Sequence, residues 1–366
     1  MAQKKFLVIQ QKMIGDVLAS TVICEGLKSV FPSCIVHFVA NHNTLPVLEH
    51  HPFIDKVIVF EKIYRSSKIE FFKFLKSIQG QPYYAVIDAY GKLESNLISL
   101  FSKATYKVSH PKWYTKWIYN HRIEENLNPD GKFPSALQNR LRLLEPIIGS
   151  QTNLEVYPKI YLSTRETTTA KNTVDTLRET TGQSMIMIGI LGSSPIKTYP
   201  AKYMADILDF ICQRTDAKLI FNYIPNQKKE ALAVYHQCKK ETRARIAIDF
   251  YAESLREFLA ILDQCDALIG NEGGAVNMAK ALNIPTFCVF SPFIVKGAWH
   301  VDNSKKHMGV HLKDHRPQVF ENRNKKSIKK DIEALYTSFE PELFKKNLAR
   351  FIVENLDDKK ETTPQK

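Results

Sequence analysis

Three segments of this chain carry residue types and spacings suited to a phosphorylated ligand. In the first, Leu268 to Leu282, an apolar run leads into Gly273–Gly274 and then the helical pattern Ala275-Val276-Asn277-Met278-Ala279-Lys280-Ala281. Backbone at such a strand–turn–helix corner lacks Cβ atoms, so a ligand can approach closely. The first N–H groups of the helix are unpaired and lie at the positive end of its dipole, which suits a phosphate or diphosphate. A plain tight turn would use the same glycine pair, and the residues alone leave both uses open. The second segment runs Leu191-Gly192-Ser193-Ser194-Pro195-Ile196-Lys197-Thr198-Tyr199-Pro200. Small hydroxyls precede a lysine able to reach a phosphate, and Pro200 opens the next helix. The third, Gln10 to Val17, contains Lys12, Gly15 and Asp16. Gly15 permits a tight turn there, and Asp16 is either the cap of the following helix or a carboxylate able to act as a base. In a further loop, Phe221 to Gln227, the amides of Asn226 and Gln227 can read a ribose or a base.

Each segment falls at the end of an apolar run, so the elements around it must be strands feeding helices. Strands are expected at Phe6–Gln10, Ile35–Ala40, Lys56–Phe60 and Tyr84–Asp88, with helical patterns at Asp16–Val30, Ser66–Gln79, Lys92–Ser102 and Pro134–Ile148. After a helical stretch at Ser163–Thr181, a second series of strands is expected at Met185–Leu191, Lys218–Phe221, Ala244–Ile248, Ala267–Ile269 and Thr286–Phe290. Its helices are Ala201–Arg214, Gln227–Lys240, Ser254–Gln264 and Gly274–Leu282. Alternation of this kind implies parallel βαβ sheets, hence an α/β fold of two doubly wound domains with ligands at the carboxyl ends of the strands, in the cleft between them. There is no internal repeat.

At 366 residues the chain exceeds one ordinary core and suits two domains of roughly 150–200 residues each. Apolar runs fall well short of the ~18–20 residues needed to span a bilayer. The N-terminus leads directly into a strand and shows no secretory signal pattern, and the six cysteines stand singly, without metal-ligand or disulfide spacing. A cytoplasmic protein with reduced, buried cysteines is expected. The net charge of +13 points to an anionic partner. No zinc-finger, RRM or helix-turn-helix signature supports nucleic acid. The charge concentrates in Lys103–Arg122 and Lys296–Lys330. Within the first stretch, Trp113 and Trp117 among lysines suit a membrane–water interface, although a solvated basic face with both rings packed inward fits equally well.

In this order, the segments resemble glycosyltransferase family 9, the heptosyltransferases of lipopolysaccharide core assembly. The family opening is a strand, a short loop, Gly-Asp-Val and a helix ending in Phe-Pro, similar here to Phe6–Gln10, Gly15-Asp16-Val17 and Phe31-Pro32. Its Gly-x-Ser…Lys-x-Trp-Pro loop resembles Gly192-Ser193-Ser194…Lys197-Thr198-Tyr199-Pro200. Its Gly-Asn-Asp-Ser-Gly…His-Leu-Ala-Ala-Ala-Leu block resembles Gly270-Asn271-Glu272-Gly273-Gly274…Asn277-Met278-Ala279-Lys280-Ala281-Leu282. The likeness covers roughly residues 5 to 295.

This resemblance implies a GT-B architecture, two Rossmann-like domains facing across a cleft. The acceptor domain would be 1–162 and the nucleotide-sugar domain 163–340. A C-terminal helix within 341–356 would pack back on the first domain, and a polar tail over 357–366 would be disordered. It implies an inverting transferase that needs no metal or other cofactor and moves a heptose or related sugar from a nucleoside-diphosphate sugar, ADP-heptose first among them. The acceptor would be an anionic, lipid-linked glycan at the cytoplasmic face of the inner membrane. Asp16 would be the base, with Lys12 and Gly15 on the acceptor side. The donor diphosphate would lie on Ser193, Ser194, Lys197, Glu272, Gly273, Gly274, Ala275 and Val276, and Asn226, Gln227, Asn271 and Asn277 would flank its nucleoside and sugar. An epimerase of the same architecture and a non-catalytic binding relative are the alternatives. Glu272, Gly273 and Asn277 stand where the family usually has Asp, Ser or Thr, and His. Asn277 cannot titrate near neutrality.

Overall fold

The computed structural model describes residues 3–126, 133–149, 154–301 and 304–357. The chain divides into two compact units, 1–161 and 162–366. The polar tail lies almost wholly outside the described residues.

The first unit is built on β1 (Lys5–Ile9), β2 (Ile35–Asn41), β3 (Lys56–Phe60), β4 (Ala85–Asp88), β5 (Tyr106–Ser109) and β6 (His121–Arg122), all parallel, in the order β3-β2-β1-β4-β5-β6. Phe6, Leu7, Val8 and Ile9 are fully buried, as expected of a central strand covered on both faces. The chain reverses direction across the sheet between β1 and β4. The loops after these two strands therefore flank the crevice where doubly wound sheets bind ligands.

The second unit carries β7 (Met185–Gly189), β8 (Lys218–Phe221), β9 (Ala267–Asn271), β10 (Thr286–Val289) and β11 (His307–Val310), again all parallel, in the order β11-β10-β9-β7-β8. Its switch point lies between β7 and β9, whose following loops carry Lys197 and Gly273. Asn271 pins that junction: Oδ1 accepts from Tyr199 N at 2.7 Å, and Nδ2 donates to Gly189 O and Ile190 O at 2.9 and 3.0 Å.

Three expectations change. The run Ala244–Ile248 is not a strand. Helix Lys240–Ala244 enters it, and only an isolated bridge from Ile246 to Leu219 remains, with Leu219 N donating to Arg245 O. Strands β5, β6 and β11 are short and sit in the basic stretches: a lysine interrupts β5, β6 is only His121–Arg122 with no apolar residue, and a glycine interrupts β11. The apolar face of the segment 341–356 is used within the second unit. Phe344, Leu348, Phe351, Ile352 and Leu356 are buried in the second unit's core, with Phe351 tilted on Phe287 at 5.7 Å.

Candidate active site

In the first unit, Gln10 to Met13 lead from β1 into helix Ile14–Val30. The tight turn is made by Met13 at φ 64°, and Gly15 already lies inside the helix, so the expected role of Gly15 as the turn residue is corrected. Met13 also occupies the cap position without a side-chain bond, which removes the reading of Asp16 as the cap. Asp16 sits instead in the first turn, where a carboxylate favours the helix dipole. Its Oδ1 accepts from Arg140 Nη2 at 2.7 Å. Arg140, on helix Ser135–Arg142, also donates to Ser20 Oγ at 2.9 Å and Ala136 O at 2.7 Å, and Ser20 Oγ donates to Asp16 O at 2.8 Å. Burial draws the Arg140 guanidinium down from its usual value, and Asp16 opposes that shift. Asp16 Oδ2 accepts no hydrogen bond among the described residues, so this half-buried carboxylate is held by one oxygen and open to a proton at the other.

Lys12 is exposed beside it, with its carbonyl accepting from Gln10 Nε2 at 3.1 Å. Sequence reasoning missed two partners here. Arg140 is 124 positions from Asp16, on a helix whose pattern carries no chemical signal. Gln11 is completely buried with both ends of its amide unpaired, a state that costs about 1–3 kcal/mol. The pair of glutamines at a strand end was its only sequence trace. Across the switch point, Asp88 at the end of β4 is buried and bonded by Tyr90 N, Gly91 N and Tyr119 Oη. Burial raises its carboxyl above the usual value, and these donors limit the rise.

In the second unit, the loop after β7 is closed on itself. Thr198 Oγ1 accepts from Gly192 N at 3.1 Å and donates to Ser194 O at 3.0 Å, while Ser291 Oγ and Tyr336 Oη both donate to Ile196 O. Lys197 is thereby held half-buried with no carboxylate within ion-pair distance among the described residues. Ser193 is exposed and Ser194 half-buried alongside. Helix Gly274–Ala281 begins at Gly273 with no side-chain cap, and its first ladder bond runs from Asn277 N to Gly273 O. The N–H groups of Gly274, Ala275 and Val276 are therefore outside the ladder. Nothing lies within 4 Å of where a Cβ would stand on Gly273 or Gly274. Space for a ligand is open at both. Val276 is buried and Ala275 half-buried, so these two offer backbone rather than side chain.

Two expected donor residues are reassigned. Asn271 is buried with both amide ends occupied by backbone, so it positions the loop and has nothing left for a nucleoside or sugar. Glu272 is nearly buried with Oε2 unpaired; burial raises its carboxyl above the usual value, and Lys197 and Lys280 pull against that rise. In either protonation state its carboxyl can pair with a hydroxyl, and Glu272 fits such a partner. Asn277 is half-buried at the same helix start. At the end of β8, Asn226 is exposed, and Gln227 Oε1 accepts from Ile224 N at 3.3 Å. Among the described residues no group of three His, Cys, Asp or Glu side chains is placed to hold a metal ion.

The sequence matches the profile of Glycosyltransferase family 9 (heptosyltransferase) over residues 71–328. The chain belongs to that family. It is 22% identical over 302 residues to a lipopolysaccharide heptosyltransferase 1 of Campylobacter coli, covering 78% of this chain and 83% of the relative. A family 9 glycosyltransferase of Veillonella parvula shares the fold with a TM-score of 0.71, at 16% identity and with 91% of this chain and 97% of that one covered. The ADP-heptose lps heptosyltransferase II of E. coli gives 0.67 at 17% identity, with 92% and 99% covered. Each of the two sheets thus belongs to a Rossmann-like unit of the GT-B type. This family 9 protein is accordingly a glycosyltransferase enzyme, heptosyltransferase-like. Among its described residues no helix is long and apolar enough to cross a membrane.

Proposed function

We propose that this chain transfers a heptose or related sugar, with inversion and without a metal or other cofactor, from a nucleoside-diphosphate sugar to a hydroxyl of a lipid-linked surface glycan. The observation that carries the reading is Lys197, with no carboxylate within ion-pair distance among the described residues, together with the uncapped start of helix Gly274–Ala281, both at the switch point of the second unit. A cation and a helix N-terminus on the two loops that flank one switch point suit a diphosphate. ADP-heptose is the favoured donor, because a solved relative is an ADP-heptose transferase. The acceptor is of the lipopolysaccharide-core kind, after the Campylobacter coli relative. Such an acceptor places the enzyme on the cytoplasmic face of the inner membrane as a peripheral protein.

In the reaction, Asp16 Oδ2 takes the proton of the acceptor hydroxyl as its oxygen bonds to the anomeric carbon. The bond from that carbon to the diphosphate oxygen breaks on the opposite face. The leaving diphosphate keeps the electron pair, stabilised by Lys197, the hydroxyls of Ser193 and Ser194, and the N–H groups of Gly273, Gly274, Ala275 and Val276. Glu272 accepts from a sugar hydroxyl, and Asn226, Gln227 and Asn277 border the rest of the donor. Lys12 and Gly15 line the acceptor approach. The loss of the family's usual Ser or Thr at Gly273 removes a hydroxyl and keeps the backbone N–H.

Calorimetry of the purified protein against ADP, UDP, GDP and CMP, with EDTA present, tests this. ADP should bind best and undiminished by the chelator. Lys197→Ala should weaken it by about 10–100-fold, since a hydrogen bond to a charged phosphate contributes about 1.5–3 kcal/mol. Unchanged affinity in that variant, or binding abolished by EDTA, would remove the assignment.

A further inference from the structure

The turn at 112–117 presents more apolar ring surface to water than any packing role explains. Trp113 is 87% exposed, Trp117 69% and Tyr114 44%, and nearby Leu93 is 72% exposed. Trp113 and Tyr114 meet only edge to face, at 5.5 Å. These rings are not core residues, so the inward-packed reading of the basic segment does not hold. Lys92 and Lys116 are exposed in the same region, with no carboxylate within ion-pair distance among the described residues.

The turn is nonetheless firmly held. Thr115, buried between the two tryptophans in sequence, donates through N and Oγ1 to Lys112 O at 3.0 and 3.1 Å. Lys112 Nζ donates to Gly91 O, which sets the turn beside residues 91–93. Tyr119, also buried, donates to Asp88 Oδ2 at 2.5 Å. Asp88 ends β4 and Gly91 lies in the loop after it, one of the two loops flanking the first unit's switch point. Exposed rings on a rigid support, fixed to the rim of a binding crevice, form an interaction surface rather than a loose loop.

We propose that this turn, with Leu93, docks the first unit on an anionic phospholipid surface. Trp113 and Trp117 sit at headgroup depth, and Lys92 and Lys116 meet lipid phosphates. The choice of a bilayer over another protein rests on chemistry: indole rings among lysines match the headgroup layer, and the whole chain carries +13. The proposal draws its purpose from the lipid-linked acceptor proposed above. Docking through the loop after β4 would present the strand-end crevice, with Asp16 on its other side, to a substrate anchored in the same bilayer.

Sedimentation of the full-length protein with phosphatidylcholine vesicles, with and without phosphatidylglycerol, tests it. Binding is expected only to the vesicles containing phosphatidylglycerol, falling with salt and accompanied by a blue shift of tryptophan emission. Lys92→Glu/Lys116→Glu should lower partitioning at least about tenfold, since each basic residue near an anionic surface is worth about fivefold. Trp113→Ser/Trp117→Ser should do the same and abolish the blue shift. ADP affinity, measured on each variant, should stay at the wild-type value and shows that the second unit is folded. Binding to neither vesicle, to both equally, or equally by all variants overturns the docking surface. Transfer to a delipidated acceptor reports separately on the proposed reaction. Vesicle binding without transfer leaves the docking intact and removes the function, and transfer without vesicle binding does the reverse.

Discussion

Asp16 and Arg140 meet between two helices, and their pairing separates the work of a base from that of its support. Asp16→Asn keeps an oxygen for Arg140 Nη2 and places no new strain on the first helical turn, so folding and ADP affinity should hold. Turnover should fall by about 10²–10⁴, the usual effect of losing a positioned base. Retention of most of the transferase rate would leave Asp16 a structural acid. Arg140 acts through Asp16 and is a positioning residue. Arg140→Met should lower kcat with ADP affinity unchanged, and Arg140→Lys should restore part of it, whereas a merely structural role would show as lost stability with no rescue of kcat. Of this pair only Asp16 was legible in the sequence, because a carboxylate after a strand end has local context. An arginine from a distant helix acquires its role through packing alone. Gln11 was hidden similarly: its type and place were visible, but its unpaired burial was not.

At the scale of elements, the glycines were read at the right corner and for an incomplete reason. Gly273 has φ 162°, an extended backbone that any residue adopts, and open space around it. The position that demands glycine is Gly270, at φ +146°, where a Cβ would meet Gly189 O at 2.3 Å across the β7–β9 junction. The two therefore predict opposite outcomes. Gly270→Ala should cost about 3 kcal/mol or more in denaturant unfolding of the second unit. Gly273→Ala should change stability by less than about 0.5 kcal/mol and leave ADP binding near the wild-type value, because the space around it is open and the family's usual Ser or Thr also carries a Cβ there. Equal effects from both would deny Gly270 its special backbone. The strands were legible wherever both faces were buried, as in β1 and β7. They were not at β5, where a lysine breaks the apolar run, or at β11, an edge strand with a glycine inside it. Helix Thr164–Leu177 was expected within the helical stretch Ser163–Thr181, but not its Ser163/Glu166 capping box or its tie to Arg256 on helix Leu255–Asp263, with Nε and Nη2 each 2.7 Å from Glu166. The Arg256 guanidinium, with the Ser163 donors, holds the Glu166 carboxyl down at about 2 against an ordinary 4.5. A depressed folded-state pKa gives stability that is complete above the unfolded value and lost as pH falls toward the folded one. Glu166→Gln should thus cost about 2 kcal/mol at pH 7, and its gap from the wild type should close between about pH 4.5 and pH 2. A gap that is constant over that range would mean the pair contributes packing only.

For the whole molecule, the placement of the C-terminal segment decides how the chain should come apart. Phe344, Leu348 and Phe351 are fully buried in the same cluster as Phe287 and Tyr199, so the last helix completes the core of the second unit. A helix within 341–356 was expected from the family resemblance alone. Its destination was not legible in the sequence, because an apolar face does not name the surface it covers. Two units with separate cores should give two calorimetric transitions, of which ADP raises only the second unit's. Phe351→Ala removes a ring from a packed aromatic cluster, a change that costs about 3–5 kcal/mol. In a unit of this size that should lower the second unit's transition by roughly 10 °C and leave the first unit's in place. Were the helix instead part of the first unit's stability, the same substitution would lower the transition that ADP does not raise.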